Sequence, residues 1–152
     1  MKPKPIQTRS SHGKRLFSVD VSSFAEIADV KPEGSRFGLL LACDARGISR
    51  ETVRSVAKAM YERGLCYLCA WGPDCERIHD IFDEVGVEID QFVMTTWHNE
   101  PIEKAAWFFV FCAIPDERSG PKDPREADWI AVSVANSARL QQMETALSDP
   151  KG

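Results

Sequence analysis

The sequence has no apolar run near the ~18 residues that a membrane-crossing helix needs, so no spanning segment is expected. Its first residues show no apolar stretch followed by a small-residue cleavage site, and no leader is expected. The common nucleotide fingerprints are missing as well. Neither G-x-G-x-x-G nor G-x-x-x-x-G-K-S/T occurs, and the turn after the first long apolar run reads Cys43-Asp44-Ala45-Arg46-Gly47-Ile48-Ser49. Paired metal ligands are equally scarce. Cys75 and His79 stand four apart on an expected helix and make half a site, with Asp44 and His98 needed to complete it. Neither a metal nor a cofactor is therefore expected.

Positive charge is also in deficit. Lys and Arg number 19 against 23 Asp and Glu, a formal net charge of −4. That argues against nucleic acid as the main partner, because phosphate binding needs clustered cations. The exception is the N-terminal stretch, where Lys2, Lys4, Arg9, Lys14 and Arg15 occur with no acidic residue. Residues 1–15 are read as a disordered basic tail. The five cysteines are an odd number and fit a disulfide framework poorly. Free thiols and the absence of an export signal imply a reducing, cytoplasmic setting.

What is present is an alternation of two patterns. Phe37–Cys43, Leu65–Trp71, Phe92–Trp97 and Trp129–Ala135 are short, nearly continuous apolar runs, the signature of strands covered on both faces. Between them lie segments of helical period. Val53, Val56, Ala57 and Met60 mark one helix face, with Ser49 as cap and Gly64 as stop. Ile78, Ile81, Phe82 and Val85 mark a second, with Asp74 as cap and Gly86 as stop. A third helix has Asn99 as cap and Pro101 in its first turn, which favour helix although WFFVFCAI alone suits a strand as well; rich in Trp107, Phe108, Phe109 and Phe111, it is expected to be unusually buried. A fourth starts at Ser137, with Leu140, Met143 and Leu147 on one face. Residues 16–149 thus read as one three-layer α/β/α domain with a four- or five-stranded, mainly parallel sheet, flavodoxin-like or Rossmann-like. Phe37–Cys43 is placed in the middle, and Leu16–Val21 is the optional fifth strand at an edge.

Open α/β sheets bind ligands beyond the C-terminal ends of their strands. Asp44, Trp71, Asp74, Cys75, Trp97, His98, Glu100, Ser133 and Asn136 all fall at or after such ends. Asp44, Trp71, Asp74, Trp97, Glu100 and Asn136 are the candidate ligand- or partner-binding residues. Cys75, in a first helical turn, and His98, from another strand end, are the candidate catalytic pair. If the second and third strands flank the first, these two side chains meet above its end, across about 9.5 Å. The imidazole would then draw off the thiol proton. Cys66 and Cys69 spell C-x-x-C but precede the turn. As strand residues three apart they are read as two separate buried thiols on opposite faces.

The blocks Ala70–Cys75 (AWGPDC) and Phe92–Pro101 (FVMTTWHNEP), with the aromatic run Trp107–Cys112, resemble a family of small bacterial proteins classed as a domain of unknown function. The likeness spans roughly residues 37–135 and implies a shared site or interface around Trp71, Cys75, Trp97 and His98. It transfers no catalytic residue. Two classes of function stand at this point. One is a small binding or interaction module for a small molecule or a protein partner, with its site at the C-terminal edge of the sheet. The other is a thiol-dependent hydrolase or transferase using Cys75 and His98.

Overall fold

The computed structural model of the chain describes residues 1–8 and 12–151. Six strands form one sheet: β1 (Lys4–Ile6), β2 (Arg15–Val21), β3 (Phe37–Ala42), β4 (Leu65–Trp71), β5 (Met94–His98) and β6 (Asp128–Val134). Four helices accompany them: α1 (Arg50–Arg63), α2 (Cys75–Glu88), α3 (Ile102–Phe111) and α4 (Ser137–Ser148). Short 3-10 turns occupy Phe24–Asp29 and Pro124–Glu126.

The spatial order is β1-β2-β6-β3-β4-β5. All pairings are parallel except β1 with β2. The three-layer, mainly parallel architecture is the expected one, but the sheet has six strands rather than four or five. The parallel strands also do not follow flavodoxin order, since the last strand, β6, inserts between the first two, β2 and β3. Because β1 pairs along its outer side, Leu16–Val21 lies inside the sheet rather than at an edge. Its register with β6 runs through seven consecutive pairs, from Arg15↔Asp128 to Val21↔Val134.

The alternation of strand side chains divides the core in two. Leu39, Leu41, Leu68, Ala70, Ile130 and Val132 face α1, α2 and the turn at Phe24–Asp29. Leu40, Ala42, Cys69, Trp129 and Ala131 face α3 and α4. Crossovers that advance along the sheet from β2 to β5 keep their helices on the first face. The one that returns, from β5 to β6, puts α3 on the second, as right-handed connections require.

Several local expectations need correction. Ser49 caps α1 by accepting from the Thr52 N–H, and Gly64 ends it at φ 107° as expected. Asp74 precedes α2 but stands at φ 64° with no capping bond, and Gly86 does not stop that helix, which runs on to Glu88. Asn99 does not cap α3, since Pro101 holds that place. The aromatic helix is only half enclosed: Phe109 and Val110 are buried, while Phe111 is exposed. β4 bulges at Cys66, where Phe37 pairs with Leu65 and Gly38 with Tyr67. The extra residue shifts the alternation, so Cys66 and Cys69 share the α3 side instead of facing apart.

The basic N-terminal stretch is not wholly a tail. Lys4–Ile6 pairs antiparallel with Leu16–Ser18. Lys14 is buried, and its ammonium donates to Phe109 O at 2.8 Å, in the last turn of α3, and to Ala113 O at 2.7 Å, just beyond its end. It also sits 3.6 Å from the Trp129 ring centroid. Arg9 lies outside the described residues.

Candidate functional site

The C-terminal ends of β6, β3 and β4 lie side by side, and the segments that leave them diverge. From β6 the chain turns into α4 on one face, and from β3 into α1 on the other. Such a divergence between neighbouring parallel strands opens a crevice. Here it is a cleft of about 370 Å³ lined by Asp44, Trp71, Pro73, Ala135, Asn136 and Arg139, among others. The same divergence recurs between β4, followed by α2, and β5, followed by α3. It makes a second cleft of about 300 Å³ lined by Trp71, Gly72, Pro73, His98 and Asn99. Trp71 and Pro73 form the ridge between the two.

That ridge is held from several sides. Gly72 stands at φ 114°, and a Cβ there would lie 2.0 Å from Cys43 O, so only glycine fits. The loops after β3 and β4 are bonded together, Cys43 N–H to Trp71 O and Ala45 N–H to Pro73 O. Asp74 accepts from Arg77 Nε at 2.8 Å, and the same guanidinium donates to Ala45 O and Ile48 O. Asp74 therefore orients the arginine that pins the β3 loop. The Trp71 indole donates from Nε1 to Glu100 O at 2.7 Å, and its ring carries the Arg139 guanidinium at 4.3 Å.

The β6 end is strained. Ala135 adopts φ 51°, a left-handed conformation that costs a non-glycine residue about 1 kcal/mol or more. Its N–H donates to Val21 O at 2.6 Å. Asn136 caps α4 through the Arg139 N–H, while the Asp20 carboxylate accepts from the Ser133 hydroxyl and the Asn136 N–H. With Asp74, Ala135 is one of two non-glycine residues at positive φ beside these clefts. Across the cleft, Asp44 forms a two-pronged pair with Arg46 at 2.9 and 2.7 Å. These hydrogen bonds hold its carboxyl well below the usual range, at about 2. Its charge is largely spent on its neighbour.

Cys75 and His98 do not meet as thiol and base. Their strands' ends are adjacent rather than separated by β3, because β4 lies between β3 and β5. The backbones do approach: Cys75 Sγ donates to the His98 carbonyl at 3.4 Å. The side chains part company, since Cys75 opens α2 on one face of the sheet and strand alternation turns the His98 ring to the other. Cys75 packs in the core of the α1/α2 side, and the His98 ring lies on the other side, 4.7 Å from Phe108. Burial pushes the Cys75 thiol above its ordinary pKa. Both His98 nitrogens are engaged, Nδ1 with Glu100 Oε1 at 2.9 Å and Nε2 with Thr96 Oγ1 at 2.8 Å. Burial opposes ionisation of Glu100, but its own backbone N–H and His98 outweigh this and hold its carboxyl below normal. The order carboxylate–imidazole–hydroxyl is that of a nucleophilic triad. However, all three residues lie along one segment, His98 is buried, and Thr96 lines neither cleft. These contacts read as a scaffold for the β5 end.

Trp97 points to the α2 side and is 40% exposed, so it shares no surface with Trp71. His79 lies between Asp80 and Asp83, away from Cys75 and Asp44. Among the described residues no group of three or more His, Cys, Asp or Glu is placed to hold a metal ion. Pro73, Ala135 and Arg139 were not anticipated. Arg139, three residues into α4 after the candidate Asn136, was legible as a first-turn cation, whereas the strain at Ala135 leaves no mark in the sequence.

A larger groove, about 710 Å³, runs along the opposite edge of the sheet. Three of its polar side chains are committed to the fold. Arg63 donates to Ala28 O and Val30 O, Tyr61 to Phe82 O, and Arg118 pairs with Asp116 and covers the Phe92 ring. We regard it as a structural seam.

The family model described as a domain of unknown function (DUF7684) matches residues 17–150. No curated protein and no solved structure matches the chain.

Proposed function

The chain belongs to this DUF7684 family, and from that premise we propose that it is a small binding module whose ligand sits on the Trp71–Pro73 ridge. The observation that carries this reading is the coincidence of the two strand-divergence clefts with backbone strain at Asp74 and Ala135. Strain at a cleft rim is tolerated where the loop shape matters more than its stability. Arg139 is the pivotal side chain. It is half-buried and lies over the Trp71 ring, and among the described residues its guanidinium bonds otherwise only to Gln142, so it can turn toward a ligand without breaking the core. Asn136 and Pro73 complete the wall.

We place the protein in a reducing compartment, since all five cysteines are free thiols. No helix among the described residues is long and apolar enough to cross a membrane. A thiol-dependent hydrolase or transferase finds no support in the geometry, because the candidate nucleophile and base are on opposite sides of the sheet. The test is native mass spectrometry of the protein isolated from its own host, beside Arg139→Glu.

A further inference from the structure

The two edges of the sheet are built differently. β1 is three residues long, and the segment Lys2-Pro3-Lys4-Pro5 gives it two cations and two residues without an N–H. Short length, lysine and proline are the devices that stop a sheet edge from pairing with another chain. β5 has none of them. Phe92–His98 contains no charge and no proline. Phe92, Met94 and Trp97 are 49%, 38% and 40% exposed. Among the described residues β5 pairs with β4 alone, so its outer backbone row is open.

A groove of about 350 Å³ follows this edge on the α2 side, lined by His79, Asp83, Val87, Phe92 and Thr95, among others. The two flanks of the edge differ in chemistry. On the α2 side, Asp80 and Asp83 share one imidazole, with His79 Nδ1 2.9 Å from Asp80 and Nε2 3.5 Å from Asp83. Thr95 Oγ1 donates to Asp83 at 2.5 Å. Two carboxylates against one imidazole leave negative charge whether or not that ring is protonated. Trp97 stands on the same flank as Thr95, two residues on. On the α3 side the edge offers Met94 and the half-buried Phe108.

We propose that β5 is a docking edge for an extended segment of a partner protein, in which basic and apolar side chains alternate. The segment would add a seventh strand, as in β-augmentation. Its basic residues would lie over Asp80, Asp83 and the Trp97 ring, and its apolar residues over Met94 and Phe108. A second copy of this chain fits less well. A two-fold contact sets a surface against itself, and the acidic flank of α2 would meet its own copy. The surface lies on the β5 side and does not depend on the cleft at Trp71.

The test is fluorescence anisotropy with the full chain and a labelled seven-residue peptide alternating arginine and valine. Saturable binding is expected. Loss of both charges in Asp80→Asn/Asp83→Asn should weaken it about tenfold. Met94→Lys/Trp97→Lys, two exposed positions, should abolish it with the melting temperature unchanged. A peptide N-methylated on the amides facing β5, and one alternating glutamate and valine, should not bind. The proposal is overturned by absent or non-saturable binding, or by equal binding of the N-methylated or glutamate peptide. Self-association of the wild type that Met94→Lys/Trp97→Lys reverses would overturn it in favour of a second copy.

Discussion

Cys75 shows how far residue spacing leads and where it stops. Its position at the start of α2 was legible from the Gly-Pro turn, and a thiol in a first turn invites the reading of an activated nucleophile. The direction of its side chain was not legible, because that depends on which face α2 covers. The structure turns it inward. Asp74 is a parallel case: its spacing says cap, while its left-handed backbone sends the carboxylate to Arg77 instead. A chemical consequence separates the five thiols. Cys43, Cys66, Cys69 and Cys75 are buried and only Cys112 is exposed. Burial pushes Cys43 up to about 12, Cys66 to about 11 and Cys69 to about 12. Iodoacetamide at neutral pH is therefore expected to label Cys112 first, and Cys112→Ser should remove the fast phase in a peptide-mapping time course. Rapid labelling of Cys75 that His98→Ala slows would restore the thiol mechanism.

At the scale of elements, the helices were the readable part, because a 3.6-residue apolar period survives without knowledge of partners. α1, α2 and α4 lie where that period puts them. The assignment of α3 as a helix rather than a strand also holds: Pro101 marks its start, where a missing N–H costs little, although the Asn99 cap does not form. β1 was not readable. A Lys-Pro-Lys-Pro segment has the composition of a tail, and only the exposed flank of β2 gives it something to pair with. The link between β1, β2 and α3 runs through Lys14, which burial holds at a pKa of about 8. Its ammonium supplies donors to carbonyls that the end of α3 leaves open. Lys14→Met is expected to destabilise the fold by about 1–3 kcal/mol in urea denaturation, since two buried acceptors lose a charged donor. Unchanged or increased stability would mean that the cost of burying the ammonium cancels its bonds.

For the whole molecule, the layers and the parallel sense of the sheet followed from alternating buried strands and amphipathic helices. The strand order did not, because it turns on where the last strand inserts, and nothing local to Asp128–Val134 encodes its neighbours. That insertion between β2 and β3 creates the main cleft, so the candidate site was legible as an edge but not as a place on it. The pH response also belongs to this scale. Thiols whose folded pKa is raised contribute stability that is complete below their unfolded pKa of about 9 and is lost as pH climbs toward 11–12. Lys14 acts in the opposite sense, since its lowered pKa makes stability rise between about 8 and 10.5. Three thiols outweigh one ammonium, and buried Tyr61 and Tyr67, raised by burial, add to the loss at higher pH. The midpoint of urea unfolding is expected to fall steadily from pH 9 to pH 11. A midpoint that rises over this range would show that the cysteines ionise freely in the folded chain.

The binding reading rests on the ridge at Trp71 and on Arg139 above it, and one comparison tests it most directly. Wild type and Arg139→Glu are expressed in the protein's own host, purified gently and weighed by native and denaturing mass spectrometry. The expected result is a wild-type species heavier than the 17.0 kDa chain under native conditions. The extra mass should leave on denaturation and be missing from an equally stable Arg139→Glu. A bare chain in both preparations, or the same added mass in both, would contradict a ligand site at this cleft.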